Sequence, residues 1–282
     1  GTATIASATA DLGTGMWTVL AIFGADGLGI PLDRIKPDLG DSTLPNNTGA
    51  FGSTSTASVS GAAVNATTSA KQALIQLAVT NDASPFFGLD PASLSYQDGA
   101  VVGAGKSVAF ADLLAATGTA TVEGTGNDAG GDATQWAFHS FGAHFVEVRV
   151  NRFTGEPRLS RITTVIDAGK IVNQKAARSQ IIGGVIFGIG HAMTEGALVE
   201  PGTGRIANTN LMDYMLPVHL DVPPIDVTFL DHPDTVFNPV GVRGIGELGT
   251  VGSGAAIANA VFNATGVRIR ELPITLDKLL TM

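Results

Sequence analysis

A single carboxylate sits inside a run of small residues near the end of the chain: Arg243-Gly244-Ile245-Gly246-Glu247-Leu248-Gly249. Glycine on both sides lets a backbone approach a bound group closely, and a glutamate held there is a candidate base. The same stretch fits G-x-G-x-x-G, with Glu271 some twenty residues on, and so invites a dinucleotide reading. Three features argue against it. The preceding Phe237-Asn238-Pro239-Val240-Gly241 is broken by Pro and Gly where a buried parallel strand belongs. Too little chain follows for the required βαβ units. A carboxylate inside the loop would repel a pyrophosphate. The bland alternative is a Glu247 that caps the following helix or pairs with Arg243.

Three further segments share this design, a Gly/Ser/Thr-rich loop or polar cap running straight into a helix. The first is Asp11-Leu12-Gly13-Thr14-Gly15, before a helix predicted from Trp17 to Leu28 and stopped by Gly29 and Pro31. The second spans Asn46 to Thr56 and includes Gly52, Ser53 and Thr54, ahead of a helix predicted from Ser60 to Val79. The third is Asp167-Ala168-Gly169-Lys170-Ile171-Val172-Asn173, where Asn173 is the expected N-cap of a helix from Gln174 to Leu198. The Glu247 loop precedes a fourth helix, Ser253 to Ala264, ended by Gly266. Helix N-termini present unpaired N–H groups, so anions settle on them. Four such loops in a chain with only 16 Lys and Arg suit a ligand with several anionic groups held by backbone amides.

Strands lie between these helices. Ser93–Val102 reads as a hairpin turning at Asp98-Gly99, and Ala143–Val165 as a hairpin turning at Asn151 to Gly155. The start of the chain alternates like a strand. Ile225–Leu230 and Val267–Leu272 are further strand candidates, and residues 115–133 read as an exposed, mobile loop. Hairpins mixed with single helices predict an α+β fold with mixed or antiparallel sheets and packed helices, in two subdomains, 1–135 and 136–282.

Composition narrows the function. The net charge of -9 and the absence of a basic stripe argue against nucleic acid. The longest apolar run, Ile181 to Gly190, is too short and glycine-rich for a membrane span. With no cysteine there is no thiol nucleophile, disulfide or iron–sulfur ligation in these residues. The five histidines lack metal-ligand spacing, so His139 and His144 read as structural. Phe138 and Phe141 read as buried core, with the lining of a substrate funnel as the alternative. The chain opens without an initiator Met and reads as a cut end, leaving the compartment open.

The segments together resemble the molybdenum hydroxylase family of xanthine dehydrogenases and aldehyde oxidoreductases. The resemblance rests on Asp167 to Asn173, on Ala177-Arg178-Ser179-Gln180-Ile181-Ile182-Gly183-Gly184, on Gly244 to Glu247, and on Ala256 to Val261 continuing through Gly266 to Pro273. Asp11 to Gly15, Gly40-Asp41-Ser42 and Gly52-Ser53 match in order too. It covers essentially the whole chain, but corresponds only to the C-terminal part of the family's longer molybdopterin-binding large subunit.

The resemblance implies a molybdopterin cofactor, as the cytosine dinucleotide, with no protein ligand to the metal. It implies that Gly13, Thr14 and Gly15 meet the dinucleotide, and that Gly52, Ser53 and Thr54 lie near the pterin. Lys170, Ile171, Val172, Asn173, Gln174, Lys175 and Ala176 would cradle the nucleotide, and Gln180 would bond the pterin or its phosphate. Arg243, Gly244, Ile245 and Gly246 would wrap the metal side, with Glu247 as a buried catalytic base. The implied reaction hydroxylates an aldehyde or N-heterocycle with water-derived oxygen. Electrons would pass to 2Fe–2S and FAD centres on partner domains or subunits, and the N-terminal remainder of the subunit would complete the site. The alternative is a truncated, non-catalytic domain of the same fold that binds no cofactor.

Overall fold

The computed structural model describes residues 1–280. The chain divides into two compact units, Gly1–Phe138 with Pro233–Gly244, and His139–His232 with the residues from Ile245 onward. Each carries its own core.

In the first unit, β1 (Ala3–Ser7) and β2 (Ile35–Leu39) pair in parallel, joined by helix α1 (Met16–Leu28). Helix α1 buries Met16, Val19, Leu20, Ala21 and Phe23, and ends as its sequence dictates on left-handed Gly29. The long helix α2 spans Ser55–Thr80 and begins five residues before the predicted Ser60, because the Ser/Thr/Ala run at its head continues the helix instead of the loop. Its buried side is mostly small: Ala57, Ser60, Gly61, Ala63 and Thr67. Farther along, Leu74, Ala78 and Val79 join Phe86, Leu94, Val101 and Leu113 in a core. That core lies under the antiparallel sheet of β3 (Ser95–Gln97), β4 (Ala100–Gly103) and β5 (Lys106–Ala109), and under α3 (Phe110–Thr117).

The loop expected to be exposed is exposed at many positions but also packs against α2. Its first residues belong to α3, and the remainder lies as a strap along α2. A Cβ at Gly124 or Gly126 would run into the α2 backbone at Ala66 and Ala70 or at Ala62 and Ala66, and Asn65 Nδ2 donates to Asn127 O at 2.7 Å. Low apolar content there reflects backbone-on-backbone packing.

The second unit is built on β6 (Phe141–Val150) and β7 (Pro157–Asp167), antiparallel with a bulge at Glu147/Val148, and β8 (Ile225–Phe229) parallel to β7. Helix α4 (Gln174–Met193), the short α5 (Leu248–Val251), α6 (Ser253–Thr265) and α7 (Leu276–Leu279) complete it. Ile162, Ile166, Ile181, Val185, Ile189, Ile257, Val261 and Leu279 form its core. Each such side chain contributes about 1.5–3 kcal/mol on full burial.

Two sequence expectations fail here. Helix α4 stops at Met193, not Leu198, because buried Asn208 captures the following backbone: its Oδ1 accepts from Leu198 N at 2.8 Å and its Nδ2 donates to Gly196 O at 2.7 Å. Residues Val267–Leu272 form no strand. Val267 and Ile269 do turn toward the core, but among the described residues no strand lies alongside to complete a ladder.

The glycines of α4 have a packing cause. A Cβ on Gly184 would come within 2.9 Å of Gly249 Cα and 3.0 Å of Thr250 N, while one on Gly249 would meet Gly184 Cα at 3.0 Å. Thr250 Oγ1 donates to Gly184 O at 3.1 Å across the same contact. The neighbouring Gly183 faces open space. Gly184→Ala is expected to destabilise the protein by about 2 kcal/mol, overpacking outweighing the better helix propensity. Gly183→Ala should instead stabilise it by roughly 0.5 kcal/mol. Urea unfolding of the two variants, at adjacent positions on one helix, checks the pair.

Candidate functional site

The first loop answers to its own aspartate. Asp11 Oδ1 accepts from Gly13 N at 2.8 Å and from Gly15 N at 3.1 Å, and Oδ2 accepts from Trp17 N at 3.2 Å; Thr14 Oγ1 lies 3.5 Å from Oδ1. Gly13 and Gly15 both take left-handed backbone, which turns these amides inward around one carboxylate. Burial pushes the Asp11 carboxyl up, but the amides of Trp17, Gly15, Gly13 and Thr14 together hold it below its ordinary value of 3.8. The amides that the resemblance assigned to a dinucleotide are therefore already engaged by a side chain of the same loop.

The second loop is also left-handed, but at a residue with a side chain. Gly52 and Ser53 are both left-handed, at φ 55° and 60°, and Thr54 folds back so that its hydroxyl donates to Phe51 O at 2.9 Å. A serine in this conformation is uncommon and marks a position held by its surroundings. One such neighbour is Gly244, where a Cβ would collide with Ser53 O and lie 2.8 Å from Ser53 Cβ. Two loops far apart in sequence, Gly52–Thr54 and Arg243-Gly244, thus meet backbone to backbone in the first unit. Around them Asn238, buried, braces the turn: its Oδ1 accepts from Gly241 N at 2.9 Å and its Nδ2 donates to Val242 O at 2.7 Å. Arg243 Nη1 lies 3.5 Å from Asp234 Oδ2.

In the second unit Asn173 caps α4 as expected, its Oδ1 accepting from Ala176 N at 3.1 Å. Lys170, Gln174 and Lys175 are exposed, Ile171 packs on the core, Val172 and Ala176 are half-buried, and Gln180 lies half-buried on the second turn of α4. Asp167, buried at the end of β7, bonds His232 Nδ1 at 3.0 Å through its Oδ2. Ile245 packs against the core and Gly246 is exposed.

Glu247 occupies the N-cap position of α5, and its carbonyl accepts from Thr250 N at 3.1 Å and Val251 N at 3.2 Å. Its side chain makes no capping bond, so helix capping does not account for the residue. The expectation of a buried base is corrected: Glu247 is exposed, because the glycines on either side and the shallow, four-residue α5 lift it off the core. The helix behind it is anchored to α4 through Gly249 and Ile181, the residue next to Gln180. Phe141 is exposed, not core, since it faces outward at the start of β6, while Phe138 stacks on Phe237 with ring centroids 4.8 Å apart. Two partners escaped sequence reasoning: Asp11 as the occupant of its own loop, which the Asp-x-Gly pattern signals, and His144 on the Leu248 carbonyl next to Glu247, for which no local signal exists.

A family model described as a molybdopterin cofactor-binding domain matches residues 1–223. The chain is 39% identical, over 99% of its length, to the aldehyde oxidoreductase molybdenum-binding subunit of Escherichia coli K12, and spans 37% of that protein. It is 32% identical, over 99% of its length, to the nicotine 6-hydroxylase large subunit of Paenarthrobacter nicotinovorans, spanning 35% of it. Among solved structures, quinoline 2-oxidoreductase from Pseudomonas putida 86 superposes with a TM-score of 0.84 at 26% identity, covering all of this chain and 36% of that one. The chain therefore spans little more than a third of the relatives it matches.

The Asp11 arrangement makes its own prediction. Its carboxyl lies lower folded than unfolded, so its stabilisation is complete above about pH 3.8 and fades as the pH falls through the folded value. Asp11→Ala should cost about 1–2 kcal/mol at neutral pH. The gap between wild type and variant should close as unfolding is measured at successively lower pH below that point.

Proposed function

We propose, from the premise that this chain belongs to the molybdopterin cofactor-binding domain family, that it forms the C-terminal part of a molybdenum-binding catalytic subunit. The proposed enzyme hydroxylates aldehydes, or N-heterocycles, with oxygen derived from water. The observation that carries the reading is Glu247: an exposed carboxylate on a glycine-flanked loop, not used as a cap, with its helix locked to α4 by contacts only glycine permits. The alignment with an aldehyde oxidoreductase subunit over 99% of this chain supports aldehydes as the substrate class.

The residues fit the cofactor unevenly. In the first unit, the left-handed Gly52-Ser53 turn packs directly on Gly244, with no room for a Cβ between them, and with Thr54 and Arg243 it would present backbone and side-chain donors to the pterin. In the second, Lys170 through Ala176 at the head of α4, with Gln180, supply cationic and amide groups for a phosphate or nucleotide. Ile245 and Gly246 lead into Glu247. Gly13, Thr14 and Gly15 fit less well, since Asp11 holds their donors. That loop would touch a dinucleotide, proposed as the cytosine form, by shape and not through those amides.

When bound, the cofactor supplies two-electron redox chemistry. The chain's part is acid–base: the Glu247 carboxylate takes and holds the proton released as the water-derived oxygen attacks the substrate carbon. Electrons would leave toward 2Fe–2S and FAD centres on partner subunits, and the N-terminal remainder of the subunit would supply the missing pocket walls.

Glu247→Gln in the assembled enzyme is expected to keep molybdenum and pterin at wild-type levels and to lower kcat by about 10²–10⁴-fold. Metal and pterin analysis alongside steady-state assays tests both halves. Undiminished turnover overturns the base assignment, and wild-type protein without molybdenum or pterin points to a non-catalytic domain of the same fold.

A further inference from the structure

Beneath Glu247 lies a histidine that the proposed chemistry does not use. His144 on β6 stands directly across from Thr164 on β7 in the antiparallel register. Its Nδ1 is 3.0 Å from Thr164 Oγ1 and its Nε2 is 3.0 Å from Leu248 O, the carbonyl immediately after Glu247. The Leu248 carbonyl can only accept, so Nε2 carries the hydrogen; in a neutral ring Nδ1 then accepts from the Thr164 hydroxyl. Thr164 is fully buried, which fixes the far end of this chain of bonds to the sheet. Gly252, the residue between α5 and α6, makes room for the ring: a Cβ there would fall 2.5 Å from His144 Cδ2 and 3.1 Å from Nε2.

We infer that His144 is a positioning residue, a strut from the sheet to the Leu248 carbonyl that sets where the Glu247 loop stands. The inference rests on Glu247 as the base for its functional consequence, but not for its geometry. Helix α5 has only four residues, too few to hold itself, and its own bonds are limited to turns such as Leu248 N to Ile245 O at 3.0 Å. From below, α4 supports it at Gly249, and from the side the imidazole supports it at Leu248. Burial lowers the ring's proton affinity, the bond to Leu248 raises it in part, and the net is below the usual 6.5, in keeping with a neutral strut. A hydrogen bond of this kind, once removed, leaves a carbonyl acceptor and a hydroxyl short of partners.

Three variants separate the strut from mere filling. His144→Phe keeps the ring volume and removes both bonds. His144→Asn reaches Thr164 but not Leu248, and covers the case in which the Phe variant does not fold. His144→Gln restores a donor near the Nε2 position. Hydrogen exchange of the full 282-residue chain is expected to show the Leu248, Thr250 and Val251 amides exchanging about tenfold faster in the Phe and Asn variants and near wild-type rate in the Gln variant. In the assembled enzyme the same two variants should lower kcat by roughly tenfold to a hundredfold with KM little changed, and Gln should recover most of it. Wild-type exchange in the Phe and Asn chains overturns the strut. Faster exchange with unchanged kcat confines His144 to a structural role and overturns it as a positioning residue. Glu247→Gln serves as the reference: it should lower kcat by about 10²–10⁴-fold while leaving these amides unchanged, so failure of the base assignment and failure of the strut are read on different measurements.

Discussion

The second unit is organised around one steric constraint, the contact of two backbones at Gly184 and Gly249. Helices usually pack through side chains at 8–10 Å between axes, and the interlocking of ridges and grooves leaves some freedom of register. Here the Cα of Gly249 lies only 2.9 Å from where a Cβ on Gly184 would be, so the two backbones touch and the register of the short α5 along α4 is tightly restricted. The Thr250 hydroxyl, donating to Gly184 O, fixes the rotation. Glycine in the middle of a helix costs about 1 kcal/mol relative to alanine. That cost is met by the core beneath, where Ile181, Val185 and Ile189 are completely or almost completely buried. The same helix thus has an apolar side that stabilises it and a glycine side that receives α5.

A comparable division appears at the heads of the other helices. Each begins with a loop rich in small polar residues, and each disposes of its N-terminal donors differently. Asp11 gathers the loop amides of Gly13 and Gly15 and one donor of α1, Trp17 N, on one carboxylate, and Asn173 takes one donor of α4 and leaves the lysines beside it exposed. Thr54 turns its hydroxyl back to Phe51 O and caps nothing. What looks in sequence like one device used four times is in three dimensions a set of distinct solutions to the same unpaired N–H groups. The first loop engages its own amides with Asp11, whereas neither Thr54 nor Glu247 caps its helix through a side chain.

Local chemistry was legible in the sequence, and distant pairing was not. Gly29 and Gly266 end their helices, Asn173 begins one, and Asn151 to Gly155 turns a hairpin, because each acts within four residues of itself. The parallel pairing of β1 with β2 stayed hidden, since Ile-Lys-Pro-Asp-Leu gives little sign of a strand and its partner lies beyond a helix. Val267 to Leu272 misled in the other direction: the alternation of buried and exposed residues is real, but alternation reports on side chains and cannot supply a neighbouring strand. The return of residues 233–244 to the first unit is equally invisible in composition. As for the site, the order of motifs pointed to the family and to four loops, while the burial of Glu247 was inferred from chemistry and is not found in this chain.

The position of Glu247 follows from how its loop is held. A carboxylate at a helix N-terminus ordinarily turns in and caps, which fixes both side chain and helix together. Here those tasks are separated. The helix is fixed from behind by Gly249 on α4 and from the side by the imidazole of His144, whose partner lies 104 residues away in sequence. The glutamate contributes only its carbonyl to α5. A side chain relieved of capping can be directed by the chemistry it serves, provided the backbone that carries it does not drift. Since a displacement of about 1 Å can cost a hundredfold in rate, the stiffness of the Gly184–Gly249 contact and the reach of His144 matter as much to a base at this position as the carboxylate itself.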